Sequence, residues 1–243
     1  MIGCDCRVCS STSKFNKRLR SSGLIRIRDK NYLIDVGPDF RAQALQFNIK
    51  HLDAIFLTHA HADHIAGIDD LRAYYFLEKK KIPCWLSQET FDEVKLRYHY
   101  MLTPLAFGKS ISAQIDFQIL GEDFGHFDLE KVHFEYFSYF QMNMKVTGFR
   151  VGNFAYVSDI REYTDQIFHS LKGIDILVLS ALRHEPSPMH FSLEEAIAFS
   201  RRTSAKMTYL THISHELEHE ATNALLPPEV RMSYDGLEIS IEI

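Results

Sequence analysis

The sequence predicts an α/β fold, a sheet sandwich covered by helices in a single domain spanning residues 1–243, and three observations carry the prediction. Strand-like and helical patterns share the whole chain. The early strands follow one another in hairpin order, whereas the later ones alternate with helices. No linker, internal repeat or low-complexity tract interrupts the chain. That mixture argues against a doubly wound parallel sheet, which would alternate strand and helix from the start.

Strand patterns, rich in β-branched and aromatic residues, occupy 24–28, 32–36, 54–57, 83–87, 132–139, 146–151, 154–157, 174–179, 207–210 and 237–241. The first two are joined around Arg28-Asp29-Lys30-Asn31, a hairpin sequence. Helical periodicity appears at 40–47, 68–78, 89–100, 164–171, 193–202 and about 216–225. The helix at 193 has the clearest start, because Ser192 with Glu195 three residues on forms a capping box. The least patterned stretch is 103–125, which reads as a loop over a site.

Hydrophobic residues make up 46% and charged residues 24%, an ordinary globular balance. A net charge of -5 gives no basic footprint for nucleic acid. The chain lacks a secretory apolar core and any apolar run long enough to span a membrane, so a cytoplasmic location is expected, with no membrane partner. Thirteen histidines is a high count that points to metal or proton chemistry. Three of the four cysteines, Cys4, Cys6 and Cys9, fall within six residues. A cluster that tight in a chain this long reads as metal ligation under reducing conditions rather than as a disulfide framework.

The chemistry concentrates where the 54–57 strand ends, in Thr58-His59-Ala60-His61-Ala62-Asp63-His64. Three imidazoles and a carboxylate at one strand end surround a small volume, and Ala60 and Ala62 leave room in it. Neutral imidazole and carboxylate suit Zn²⁺ or Mn²⁺ with positions left open for water. A polar turn with surface histidines is the alternative, but burying this cluster without metal would strand several polar groups.

His59 to His64 match residue for residue the His-x-His-x-Asp-His signature of the metallo-β-lactamase superfamily, which the chain resembles. The resemblance implies an αββα sandwich with two metals at one rim. His59 and His61 would serve the first metal, Asp63 and His64 the second, Asp159 would bridge both, and His212 would complete the second. Asp159 follows Phe154-Ala-Tyr-Val-Ser, and His212 follows Tyr209-Leu-Thr, so a strand delivers each ligand. The family's further His ligand lies seven residues before a Gly-Phe-Arg triplet. Here the triplet is Gly148-Phe149-Arg150 and the matching residue is Gln141. A glutamine carbonyl binds Zn²⁺ more weakly than imidazole, so the first site is expected to be the weaker. His133 lies nearby, but its position does not match.

Gly3-Cys4-Asp5-Cys6-Arg7-Val8-Cys9 has Cys-x-Cys-x-x-Cys spacing, and His215, three residues past His212, offers a fourth ligand for a structural zinc in segment 3–10. This resembles the PhnP family, the phosphoribosyl 1,2-cyclic phosphate phosphodiesterases, which carry such a zinc. Further matches are Lys17-Arg-Leu-Arg-Ser-Ser22, Leu33-Ile-Asp-Val-Gly-Pro-Asp39, His190-Phe-Ser-Leu-Glu-Glu-Ala196 and Ser233-Tyr-Asp-Gly236, so the likeness runs over nearly the whole chain. The family normally begins with a Gly-Thr-Gly-Thr-Ser-like strand, and this chain starts at Met1-Ile2-Gly3, so that first strand is expected to be missing.

The resemblance implies a metal-dependent phosphodiesterase for a small cyclic or nucleotide-like phosphate. Its cofactors would be two Zn or Mn ions and one structural Zn. His190 is the candidate acid or phosphate contact, and Asp63 a proton shuttle as well as a ligand. Arg183 and His184 are weaker phosphate candidates, and His219 reads as a solvated helix residue. The partners expected are a small phosphodiester and, for assembly, a second copy of the chain. A nuclease of the tRNA 3′-processing type uses the same chemistry, but the acidic charge and absence of a basic arm disfavour it. A binding protein with a degraded metal site is the non-enzymatic alternative, supported only by Gln141.

Overall fold

A computed structural model describes residues 1–102 and 112–243. The chain divides into two compact units, Arg20–Glu122 and Met1–Leu19 with Asp123–Ile243, each built on its own sheet.

The Arg20–Glu122 unit carries strands β1 (Gly23–Ile27), β2 (Lys30–Ile34), β3 (Ala54–Phe56), β4 (Ile82–Ser87) and β5 (Ile115–Leu120), hydrogen-bonded in that order. β1 and β2 form the expected antiparallel hairpin, and the other neighbours are parallel. β3 lies mid-sheet and is wholly buried, as parallel pairing with cover on both faces requires. Helices α1 (Phe40–Gln46), α2 (Ala62–Ile65), α3 (Arg72–Glu78), α4 (Gln88–Arg97) and α5 (His99–Leu102) cover the face that bears Leu33, Ile55, Leu57 and Leu86. Phe40, Ile65, Ile68, Leu71, Tyr74 and Val94 pack with Leu33, Ile55, Leu57 and Leu86 in one cluster.

The other unit carries β6 (Phe124–Leu129), β7 (Val132–Gln141), β8 (Met144–Val151), β9 (Phe154–Val157), β10 (Ile176–Ser180), β11 (Met207–Thr211) and β12 (Val230–Met232) in one sheet, ordered β12-β11-β10-β9-β8-β7-β6. β6 to β9 are antiparallel neighbours, and β9 to β12 are parallel. Helices α6 (Ile167–Ser170), α7 (Leu193–Thr203) and α8 (His219–Leu225) complete it. α7 buries Leu193, Ala196, Phe199, Ser200 and Thr203, one face of a helix at intervals of three and four. Its capping box is present: Glu195 N donates to Ser192 Oγ at 3.2 Å and Ser192 N to Glu195 Oε2 at 2.8 Å.

Nine of the ten expected strands form. Segment 237–241 alternates apolar and polar residues yet builds no strand; just beyond it the tail meets the Asn153 turn, where Glu242 N donates to Asn153 Oδ1 and Asn153 N to Glu242 O. The stretch 103–125 is not wholly a loop. It contains β5 and the start of β6, while 103–111 lies outside the described residues. The helix expected from about 216 begins only at His219.

Candidate metal centre

Two sets of donor side chains stand out, one in each unit, together with a third cluster near the N-terminus.

In the Arg20–Glu122 unit, β3 runs out through Leu57 and Thr58 into His59-Ala60-His61, and α2 then carries Asp63 and His64. His59 and His64 are buried, at 0% and 1% exposure. His59 Nε2 faces His61 Nδ1 at 3.0 Å, and the rings of His59 and His64 lie 4.2 Å apart. Two imidazole nitrogens sharing one tetrahedral Zn²⁺ at about 2.0–2.1 Å would stand roughly 3.3 Å apart. The His59–His61 spacing fits that. Asp63 Oδ2 lies 3.8 Å from His64 Nε2, and its side chain is a third exposed.

Behind this set sits Asp35, wholly buried, just past β2. Its Oδ2 accepts from His64 Nδ1 at 2.7 Å, and its carboxylate accepts from Thr58 N at 2.8 Å and from Thr58 Oγ1. A carboxylate only accepts, so His64 carries its proton on Nδ1 and its Nε2 is the deprotonated nitrogen. The single Thr58 hydroxyl proton is given to Asp35. His59 Nδ1, 2.9 Å from Thr58 Oγ1, is therefore the donor of that pair, and its Nε2, which faces His61, is the deprotonated nitrogen. In the sequence Asp35 stands out only as part of the matching 33–39 segment, with no role of its own. The signal was a lone carboxylate in the otherwise apolar strand end Leu33-Ile-Asp-Val. Glycine makes the approach possible. A Cβ on Gly37 would lie 2.3 Å from Asp63 O, and one on Gly67 2.1 Å from Gly37 O. The backbone bonds Val36 N to His64 O at 2.7 Å and Gly67 N to Val36 O at 2.9 Å close the two loops together.

In the other unit, Asp159 follows β9 and His212 follows β11, at the carboxyl ends of strands that flank β10. Both take left-handed φ, 56° and 55°, which turns the chain sharply at the strand end. His212 Nε2 and His190 Nδ1 lie 3.3 and 3.2 Å from Asp159 Oδ1, and the two rings stack at 5.0 Å. Asp159, His190 and His212 thus form a group able to hold a metal ion. Ser158 Oγ donates to Asp159 Oδ2 at 2.5 Å, and Ser187 Oγ accepts from His190 N at 3.2 Å to shape the loop that presents this ring. Gln141, the last residue of β7, is 2% exposed. Its Nε2 lies 3.2 Å from Asp159 Oδ1 and 3.1 Å from His190 Nδ1. Its Oε1 is buried with no hydrogen-bond partner among the described residues. A carbonyl oxygen in that state costs about 1–3 kcal/mol, and a hard cation would satisfy it.

In the same unit, one ligand atom from each of Cys4, Cys6, Cys9 and His215 lies within 4.8 Å of all the others. His215 Nδ1 is 3.5 Å from Cys4 Sγ and 3.3 Å from Cys6 Sγ. A sulfur and a nitrogen on one tetrahedral zinc would stand about 3.6 Å apart, so this donor set fits too. The Cys9 backbone N–H, and then His215, hold the Cys6 thiol down at about 6, which favours the thiolate that binds metal.

Other expectations fare differently. Arg183 lies 3.8 Å from Glu216, and His184 is exposed. His133 pairs with Asp128 at 2.8 Å on the exposed β6–β7 hairpin. His219 is not solvated. It is 7% exposed and stacks on Phe15 at 4.8 Å.

A family model described as the β-lactamase superfamily domain matches residues 30–213. A crystal structure described as a new diphosphatase from the PhnP family is 36% identical, covers 100% of this chain and 92% of its own, and superposes with a TM-score of 0.91. The chain belongs to the PhnP family of the β-lactamase superfamily. This PhnP-family chain has the metallo-β-lactamase fold, two sheets with helices, and its fold neighbours are metal-dependent hydrolases. Human tRNase Z, short form, shares that fold at 20% identity with a TM-score of 0.67, covering 92% of this chain and 93% of its own. An octanoyltransferase of Porphyromonas gingivalis is 32% identical over 252 residues, which is 99% of this chain and 49% of that protein. The PhnP-family chain therefore spans about half the length of that curated relative. No helix among the described residues is long and apolar enough to cross a membrane.

Proposed function

We propose that the chain is a metal-dependent phosphohydrolase that cleaves a small phosphodiester. Two Zn or Mn ions would be served by His59, His61, Asp63 and His64 in the Arg20–Glu122 unit and by Gln141, Asp159 and His212 in the other, and a structural zinc by Cys4, Cys6, Cys9 and His215. The observation that carries the reading is the tautomer control: Asp35 and Thr58 hold the ring protons of His64 and His59 on Nδ1, which leaves each Nε2 in the deprotonated form that binds metal. When bound, the cations supply a nucleophile from water at neutral pH and neutralise charge on the phosphoryl oxygens. Asp35 keeps His64 in its binding tautomer throughout. Asp63, a third exposed, is open enough to exchange a proton with solvent. His190 sits between Asp159 Oδ1 and Gln141 Nε2, which orient the ring as proton donor to the leaving oxygen.

The diphosphatase likeness fits the same proposal. A phosphodiester and a diphosphate joining two esters both offer a phosphorus bearing one ionised oxygen, and they differ in the leaving group. Alkoxide needs a proton from His190 more than phosphate does, because alkoxide is far more basic. Octanoyl transfer is not proposed, since that name belongs to a protein about half of which lies outside the match.

The test supplies Mn²⁺ or Zn²⁺ to purified chain and offers bis-(p-nitrophenyl) phosphate, a ribose cyclic phosphate, a nucleoside-diphosphate sugar and a tRNA precursor. Hydrolysis of the small diesters without trimming of the RNA is expected. Metal-loaded protein inert towards all the small substrates would overturn the proposal.

A further inference from the structure

Arg18 links the thiol cluster to the strand end that bears His212. β11 stops at Thr211, and the chain turns at His212 with φ 55°, a conformation that a residue with a Cβ keeps only when its flanks are held. Upstream the hold is the sheet, with Thr211 paired to Ser180 and Thr211 O accepting from Ala181 N at 3.0 Å. Downstream no regular element follows until α8; one backbone bond, Ser214 N to Leu182 O at 2.8 Å, ties the start of this stretch to the β10 side, and side chains hold the rest of it. Arg18 does this. Its Nη1 donates to Ser214 O at 2.8 Å and its Nη2 to Leu217 O at 2.7 Å, a fork gripping both ends of the turn. Nη2 also reaches Asn16 Oδ1 at 3.2 Å, and Nε donates to Phe15 O at 3.3 Å, which anchors the fork to the N-terminal segment. Asn16 extends the clamp, donating through Nδ2 to Glu218 Oε1 at 2.6 Å and accepting from His219 N at 3.0 Å. Between the two gripped carbonyls lies His215, drawn toward Cys4 and Cys6.

We infer that Arg18 is a positioning residue for the metal centre, fixing the 212–217 turn so that His212 presents Nε2 beside Asp159 Oδ1. The inference rests on the metal-dependent reading. Two consequences follow from the geometry. A lysine at position 18 keeps a cation but loses the fork, so it can hold one carbonyl and not both. And with the fork gone, the Cys4–Cys6–Cys9–His215 cluster remains as a tether, so filling that cluster should partly restore binding at His212.

The test uses full-length chain stripped of metal and titrated with Co²⁺, whose thiolate charge-transfer absorption reports the cysteine cluster apart from the His/Asp site. Arg18→Met should weaken Co²⁺ at the His/Asp site by about 10-fold or more, the scale of losing an outer partner of a ligand. Arg18→Lys should fall between Arg18→Met and wild type. Arg150→Met is the control, because Arg150 grips Gly152 O and Ser170 O in the same unit and touches no donor; it should stay within about 2-fold. Should Arg18→Met fail to fold, Arg18→Lys with a native circular dichroism spectrum decides alone, a weakened site supporting the inference and an unchanged one overturning it. Equal loss in Arg150→Met, or unchanged affinity in folded Arg18→Met, overturns it. A wild type that takes no ion at the His/Asp site instead removes the metal reading itself.

Discussion

Replacing Asp35 with asparagine tests the hydrogen-bond logic of the centre more sharply than removing any ligand. The change is isosteric, so packing of the wholly buried side chain is preserved while its charge and its pattern of donors and acceptors change. Oδ2 takes the protons of His64 Nδ1 and Thr58 Oγ1, and Oδ1 takes that of the Thr58 backbone. If the new amide places its NH₂ at the Oδ2 position, His64 must accept there, its proton moves to Nε2, and the binding lone pair is lost. If the NH₂ sits at Oδ1, it faces the Thr58 N–H, a backbone donor with no rotation to escape, and a buried donor is stranded at about 1–3 kcal/mol. Either orientation is adverse. Outer partners of metal-binding histidines are worth about 10–100-fold in metal affinity, or about 1.4 to 2.8 kcal/mol. Asp35→Asn should therefore bind Zn²⁺ or Mn²⁺ in that range more weakly by calorimetry, with a lowered unfolding midpoint in the metal-free form as well. Wild-type affinity, within about twofold, in a folded Asp35→Asn would refute the tautomer argument.

Gln141→His should raise the tightly held metal count per chain and shift preference toward Zn²⁺, because imidazole replaces a carbonyl whose Oε1 has no partner among the described residues; equal tight occupancy in both proteins, by elemental analysis, would count against it. Cys4, Cys6 and Cys9 should resist alkylation until a chelator is added, after which Cys6, its thiol held at about 6, should label first. Cys84, wholly buried, should label only on unfolding, and mass spectrometry distinguishes the two classes. Burial, and then Arg18, lower the pKa of His219 below its usual 6.5, so it is neutral in the fold. Its contribution to stability is complete above that ordinary value and is lost as pH falls below it toward the folded-state pKa. The unfolding midpoint should thus drop on acidification, less steeply in His219→Phe than in wild type.

Much of this centre was written in contiguous residues. A strand that ends in His59-Ala-His61-Ala-Asp63-His64 announces its chemistry, because the donors are neighbours in the chain and the turn brings them together whatever surrounds it. The Cys-x-Cys-x-x-Cys spacing and the Ser192–Glu195 cap are local in the same way, and both appear as expected. What was missed was non-local or at an edge. β5 and β6 are half-exposed strands, with the weak burial that makes their periodicity faint, and β12 is three residues long. The 237–241 segment has the right alternation but forms no strand ladder among the described residues, so propensity alone misleads there.

By itself, then, the sequence determined the candidate donors, their order along the chain and the family they point to, since each follows from residue types at short spacing. Only the tertiary structure decided what those donors can do. Asp35 meets His64 across 29 residues, Arg18 grips Ser214 across 196, and His219 is buried beneath Phe15. The physical reason is common to all three. A buried polar group takes its partner from whatever folding brings within about 3 Å, and chain distance sets no limit on that.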